Sequence, residues 1–323
     1  MLDSIGRAIL VSTVVALFVE ALLRLWRVEQ GAARVQMRAA SILCGALLPV
    51  LFADVAPFRL EDRFVERFAV FAGHRWNLLD PAGFGLARLA TVVLAVVSLA
   101  FLLFDLVPTV LDAADRRRAP AAKCRQDDQL LRDTQALASE AGMRAPSVCF
   151  TDDTVPVLLC RGLVHPRLLV SAGALALLDA VERRAALAHE LVHVRRRDPL
   201  IGWGLLLVRS LCWFSPALQL QARALASDLE RRADDEAAAT SGGSAALASA
   251  ILRLHRSTSV LGDGAGPSPW PPRLGKVLRR ARAAGLERRC RRLVQPAATV
   301  PPPSPIHLLA AIGASVGLAF LVI

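Results

Sequence analysis

Four stretches of the chain are nearly free of charge. Ala8 to Leu25 is apolar apart from Glu20 and Arg24. Ser41 to Phe52 is a second run, which extends to Phe58 past Asp54. Phe84 to Val107 is the longest, with Arg88 near one end and Asp105 near the other. Ile306 to Ile323 holds His307 as its one ionisable side chain. A helix needs about 20 apolar residues to cross a bilayer core. The runs therefore predict an α-helical polytopic membrane protein with about four transmembrane helices. The first run is read as an uncleaved anchor, because no small-x-small cleavage site follows it.

Between the third and fourth runs the pattern changes. Residues 128–141 have helical spacing, and Val155 to Cys160 and Arg167 to Val170 read as strands. They flank a turn at Arg161 to Pro166, and Pro156 suits an edge strand. Helices follow to about residue 256. Val181, Ala185, Ala188 and Val192 share one helical face, and Pro199 marks that helix's end. The Gly/Pro-rich tract Gly262 to Pro272 and the stretch Pro296 to Pro305 read as linkers. These signals predict a membrane region at 1–111, an α+β domain at 112–300, and a linker with a final span at 301–323.

Composition agrees with a membrane setting: 54% of residues are hydrophobic, and the mean hydropathy is +0.44. The net charge is +11. The first loop carries Arg24, Arg27, Arg34 and Arg38 against Glu29, and the third span is followed by Arg116-Arg117-Arg118. Residues 109–323 hold 29 Lys and Arg against 19 Asp and Glu. Positive loops stay in the cytoplasm. That places the N-terminus outside, the 112–300 domain in the cytoplasm, and the chain in the inner membrane. The arginines between 273 and 292 suit contact with lipid headgroups of the bilayer. Direct nucleic-acid binding is disfavoured, since there is no Tyr and few nearby aromatics to stack on bases. Cys44 lies in an apolar run and on this topology the other five cysteines face the cytoplasm or the protein interior, so reduced thiols are expected; there is no C-x-x-C, and none is assigned to a metal. Leu261 to Gly264 is a turn, not a phosphate loop.

The chemistry is concentrated in His189-Glu190-Leu191-Val192-His193. Residues four apart share a helical face, so both imidazoles can reach one zinc ion. Glu190, offset by one, stands beside the open position, where it can take a proton from an activated water. The bland alternative is two surface histidines on a basic helix. A third ligand is sought in Asp228 to Asp234. Glu230 and Asp234 lie four apart there, Glu230 as the third ligand and Asp234 as acceptor from the far ring nitrogen of a ligating histidine. Taken alone, that motif also fits a solvated amphipathic helix.

A fifth apolar run, Leu200 to Leu220, lies between the two motifs and contains Arg209. One crossing there would separate His189 from Glu230. The run is therefore expected to be buried, interfacial or re-entrant. His165, beside Pro166, could serve as an oxyanion donor but reads better as a turn residue. Gly313 and Gly317 form a small-x-x-x-small face on the last span. That face suits self-association or contact with a separate sensor protein, and equally suits packing within the chain.

Taken together, the spans, the stretch Gly162 to Leu168 (G-L-x-x-P-x-L), His189 to Asp198 (H-E-L-x-H-x-x-R-R-D), Glu230 to Asp234 (E-x-x-A-D) and the last span resemble the BlaR/MecR-type membrane metallopeptidases, which are gluzincins. The resemblance implies a cytoplasmic zinc domain between the third and fourth spans. It implies His189, His193 and Glu230 as ligands and Glu190 as the catalytic carboxylate. It also implies antirepressor signalling by cutting a cytoplasmic protein substrate, such as a transcriptional repressor. The best-known members carry a penicillin-binding sensor after the last span. This sequence has no S-x-x-K followed by K-T-G, so β-lactam sensing is not expected of it. The HtpX and CAAX prenyl endopeptidase families, membrane quality-control proteases, share both zinc motifs and are the nearest enzymatic alternative. A non-catalytic receptor or scaffold with a zinc-binding domain is the alternative of another class.

Overall fold

The computed structural model describes residues 2–29, 31–69, 86–107, 127–162, 165–240, 243–262, 284–295 and 304–322. It is mostly helical and packs as two compact units. Unit one is Met1–Arg118, Gly202–Leu229 and Val300–Ile323, and unit two is Ala119–Ile201 and Glu230–Thr299.

Unit one begins with α1 (Leu2–Leu25) and α2 (Gly31–Val55). Ile5–Leu25 and Gly31–Val55 are long and apolar enough to cross a membrane. The other two expected spans are shorter apolar helices, over Val92–Phe104 and Pro305–Leu321. Between α2 and the third of these lies a short helix, α3 (Asp62–Phe68), followed in the described chain by α4 (Leu86–Phe101). Val11, Val15, Val19 and Leu23 recur at four-residue spacing and are buried, which gives α1 one packed stripe. Val11 and Val15 meet Ala319 and Val322, while Val19 and Leu23 meet Met37 and Ala311. Leu43, Leu47, Val50 and Leu51 on α2 stay exposed, an apolar surface of the kind that suits lipid. Arg59 donates to the carbonyls of Phe320 at 2.7 Å, Ala319 at 3.0 Å and Val322 at 3.1 Å. These are carbonyls that a helix end leaves without partners.

The 200–220 run is not one helix. It divides into α8 (Asp198–Leu211) and α9 (Pro216–Thr240), with a turn closed by Ser215 N–H donating to the Cys212 carbonyl at 3.0 Å. Leu218, Ala222 and Leu225 pack against Val35 and Ile42. Residues 202–229 thus group with the apolar helices and not with the 112–300 domain in which the sequence pattern puts them. Their apolar faces find complementary partners on α2, which linear spacing cannot reveal.

Unit two opens with α5 (Asp128–Glu140), capped by Asp127, and a sheet of β1 (Ser147–Thr151), β2 (Leu158–Arg161) and β3 (Arg167–Ser171). Among the described residues the strand order is β1-β3-β2. β1 runs parallel to β3, and β2 antiparallel, with Arg161 opposite Arg167. The predicted hairpin is present, although β2 starts at Leu158 and leaves Pro156 outside it; β1 is an addition to the sequence reading. Gly162 has φ +107°, and a Cβ there would sit 2.5 Å from the His165 carbonyl oxygen, so the turn requires glycine.

After the short α6 (Ala172–Leu177) comes α7 (Ala180–Arg196), the central helix of the unit. Asp179 and Glu182 form a reciprocal capping box at its start, satisfying N–H groups that would otherwise lack acceptors. Ala185, Leu187, Ala188, Leu191 and Val192 are buried on several faces at once. They pack with Leu168 and Val170 of the sheet, Ala233 and Ala237 of α9, and Leu247 of α10 (Ser244–Gly262). A further helix, α11, covers 284–294, and α12 (Pro305–Leu321) belongs to unit one.

The expectation of reduced cysteines needs one correction. Cys44, Cys160, Cys212 and Cys290 form no disulfide, but Cys149 is disulfide-bonded, and its partner lies outside the described residues. Which distant cysteines meet depends on the fold and not on their spacing. Arg116 to Arg118, Arg279-Arg280 and most of both predicted linkers also lie outside the described residues.

Candidate metal centre

All five predicted site residues fall in unit two, on two helices. α7 carries His189, Glu190 and His193; α9 carries Glu230 and Asp234. One ligand atom each from His189, His193 and Glu230 lies within 4.8 Å of the others. The two Nε2 atoms are 3.1 Å apart. Two nitrogens on a tetrahedral zinc ion at ordinary bond lengths stand about 3.3 Å apart. The Glu230 oxygens lie 3.7 Å from each Nε2. The donor set and its spacing fit a His/His/Glu zinc site.

The far ring nitrogens each face a carboxylate. His193 Nδ1 donates to Asp198 Oδ2 at 2.7 Å. His189 Nδ1 faces Asp234 Oδ1 at 3.3 Å, off the line of a well-formed hydrogen bond. A carboxylate on Nδ1 favours the tautomer with its lone pair on Nε2 and fixes the ring. Asp234, fully buried, thus lies beside the far ring nitrogen of His189. Asp198 is a residue the sequence reading quoted without a role. α7 ends at Arg197 with φ +56°, in the left-handed region, a common helix stop. Pro199 then occupies the first turn of α8, where its missing N–H costs nothing. This sharp junction turns Asp198 back onto His193.

Arg289, on α11, was also missed. It donates to Asp234 through Nε at 2.9 Å and Nη2 at 2.8 Å, and pairs with Glu230 at 2.9 Å. Its sequence neighbours suggest a lipid-facing cluster, and nothing in spacing links it to Asp234. Arg292 likewise pairs with Asp235, and Arg291 with Glu287. Glu236 accepts from Arg195, Arg196 and Arg232, bracing α9 against α7. His165 is exposed in the β2–β3 turn and is not among the residues lining the site, as the turn reading expects.

Electrostatics follow from this crowding. Burial pushes the pKa of His189 down, yet its contacts with Asp234 and Glu230 outweigh burial and raise it to about 9 in the metal-free protein. Burial raises Glu230, but His189, Arg289 and His193 reverse this and hold it at about 2. Glu190 is raised, chiefly by burial, and the two histidines oppose that shift only in part. A base with a raised pKa is better matched to proton transfer near neutral pH. Its Oε2 accepts from the Cys160 N–H at 2.8 Å.

The site opens into a cleft of about 400 Å³ lined by Pro156, Leu158, Ala186, His189, Glu190 and Leu254 among others. One wall is therefore the segment leading into and including β2.

The sequence profile described as BlaR1 peptidase M56 matches residues 85–266, more than half of the chain. The chain belongs to the BlaR1 peptidase M56 family. It is also 36% identical over 74 residues to a protein named Protease HtpX homolog from Acidiphilium cryptum (strain JF-5), covering 22% of this chain and 26% of that one. A protein of the same name from Ralstonia pickettii (strain 12J) is 37% identical over 76 residues, covering 23% and 27%. The chain thus spans about a quarter of the length of these curated relatives. The family is described as one of peptidases, and the described residues of this M56 protein include two helices long and apolar enough to cross a membrane.

Proposed function

We propose that this M56 protein is a zinc metalloendopeptidase that cuts a cytoplasmic protein, such as a transcriptional repressor, in signal transduction across the inner membrane. The observation that carries this reading is the convergence of His189, His193 and Glu230 with Glu190 beside them. His189, His193 and Glu230 would hold the ion, with Asp234 and Asp198 orienting the two rings. Bound there, zinc supplies a Lewis acid that polarises the scissile carbonyl and makes water a stronger nucleophile at neutral pH. Glu190 takes the proton of the attacking water and delivers it to the leaving amine. β2, at the end of the sheet order, offers an edge to which an extended substrate can add as a strand.

The topology that goes with this reading has four spans, the N-terminus outside and the metal site in the cytoplasm. Its support is the charge asymmetry and the break in the 200–220 run. A separate sensor protein would supply the signal. The likeness to the HtpX homologs favours a second reading, a quality-control protease with many substrates. The test compares the proteomes of cells expressing wild type and Glu190→Gln under cell-envelope stress, alongside zinc analysis of both proteins. One fragment that requires wild type supports signalling, and a broad set of fragments supports quality control. No fragment, with Glu190→Gln signalling as well as wild type, would replace both readings by a non-catalytic zinc scaffold.

A further inference from the structure

We infer that the backbone N–H of Cys160, at the open edge of β2, aims the Glu190 carboxylate; this rests on the reading of Glu190 as general base. Among the described residues β2 ends the sheet order β1-β3-β2. Just before it, Ser171 N–H donates to the Val157 carbonyl at 2.9 Å, and Val157 N–H to Ser171 Oγ at 2.8 Å. Backbone groups alternate sides along an antiparallel strand. Positions 157, 159 and 161 therefore turn their backbone groups toward β3, and Leu158 and Cys160 turn theirs to the open edge. An edge donor of that kind ordinarily meets water or another strand. Here the Cys160 donor meets Glu190 Oε2 at 2.8 Å.

A glutamate side chain rotates about three bonds, and a fixed charge-assisted hydrogen bond removes most of that freedom. With Oε2 held, Oε1 is left for the water. Cys160 is thus a positioning residue that acts through its main-chain N–H, a donor every residue but proline supplies. The arrangement also sets the substrate register. Of the two outward N–H groups on β2, one is engaged by Glu190. A substrate strand can take the N–H of Leu158, and pairing ends where the base begins.

The test uses the full chain in lipid nanodiscs, loaded with zinc. In Glu190→Ala, amide exchange at Cys160 should quicken at least about tenfold as its local protection is lost, with Leu158 unchanged. Cleavage is read with an internally quenched peptide selected from a random mixture by wild type. Cys160→Pro should lower kcat by about 10- to 100-fold, within the range that a well-placed base contributes. KM and one bound zinc per chain should be retained, and Cys160→Ala should match wild type. Proline is compatible with an outward-facing edge position, so a Cys160→Pro chain that fails to fold or loses zinc overturns the proposal. So does unchanged exchange in Glu190→Ala, or a raised KM with unchanged kcat in Cys160→Pro. An inactive Glu190→Gln beside a fully active Cys160→Pro defeats this proposal alone. A fully active Glu190→Gln defeats the general-base reading, and this proposal with it.

Discussion

Nδ1 of His189 lies 3.3 Å from Oδ1 of Asp234, a carboxylate with no exposed surface. In the metal-free protein this contact, with Glu230, raises the His189 pKa from 6.5 to about 9. A histidine raised on folding contributes stability that is complete below its unfolded pKa and is lost as pH rises through the folded one. The chelator-treated protein should therefore lose thermal stability between pH 6.5 and about 9. Zinc binding should release a proton across the same window and tighten as pH rises. Melting curves at several pH values, with and without chelator, check both. Asp234→Asn should flatten the dependence, and a steep dependence in that variant would assign the shift elsewhere.

Asp198 holds the ring of His193 from the far side at 2.7 Å. Asp198→Ala should weaken zinc binding by about 10- to 100-fold, the usual range for partners of metal-bound histidines. Competition with a chromogenic chelator gives the number. An affinity equal to that of wild type would make the contact incidental.

Glu236 accepts from Arg195, Arg196 and Arg232 and is absent from the group of converging ligand atoms. Glu236→Ala should keep one zinc per chain and lose about 1 kcal/mol of stability, since partly exposed pairs contribute little each. Glu230→Ala should instead lose most of its zinc. Metal analysis showing the reverse order would move the third ligand.

Cysteines introduced one at a time at 118, 227 and 265, with the native ones replaced, test the orientation. Ser227 is exposed whereas Leu225 is buried, which makes 227 the better probe of α9. An impermeant thiol reagent should fail at all three positions in intact cells and succeed after lysis. Labelling at 227 from outside would mean that the 200–220 segment crosses the membrane.

Gly313 and Gly317 are exposed on α12 with open space beside each, while Ala311, Ser315 and Ala319 form the buried face. Among the described residues, close packing within unit one therefore does not use the glycine face. Gly317→Leu should reduce crosslinking between copies, or to a sensor partner, and leave the melting temperature nearly unchanged. Crosslinking at the wild-type level would leave this face to lipid.

The candidate ligands could be picked out because helical periodicity is a local property. His189 with His193, and Glu230 with Asp234, share faces wherever their helices lie, and the H-E-x-x-H pattern assigns Glu190 its place from spacing alone. The apolar runs and the β2–β3 hairpin follow from equally local signals. Tertiary structure decided what depends on distant segments meeting. It bent the chain at Arg197 so that Asp198 faces His193, and it carried Arg289 across 55 positions to Asp234. It also set the Cys160 N–H against Glu190, and joined 202–229 to α2 through packed apolar faces. Hydrogen bonds and ion pairs between remote residues leave no periodic trace in a sequence, because their spacing along the chain is set by the connections and not by the contact.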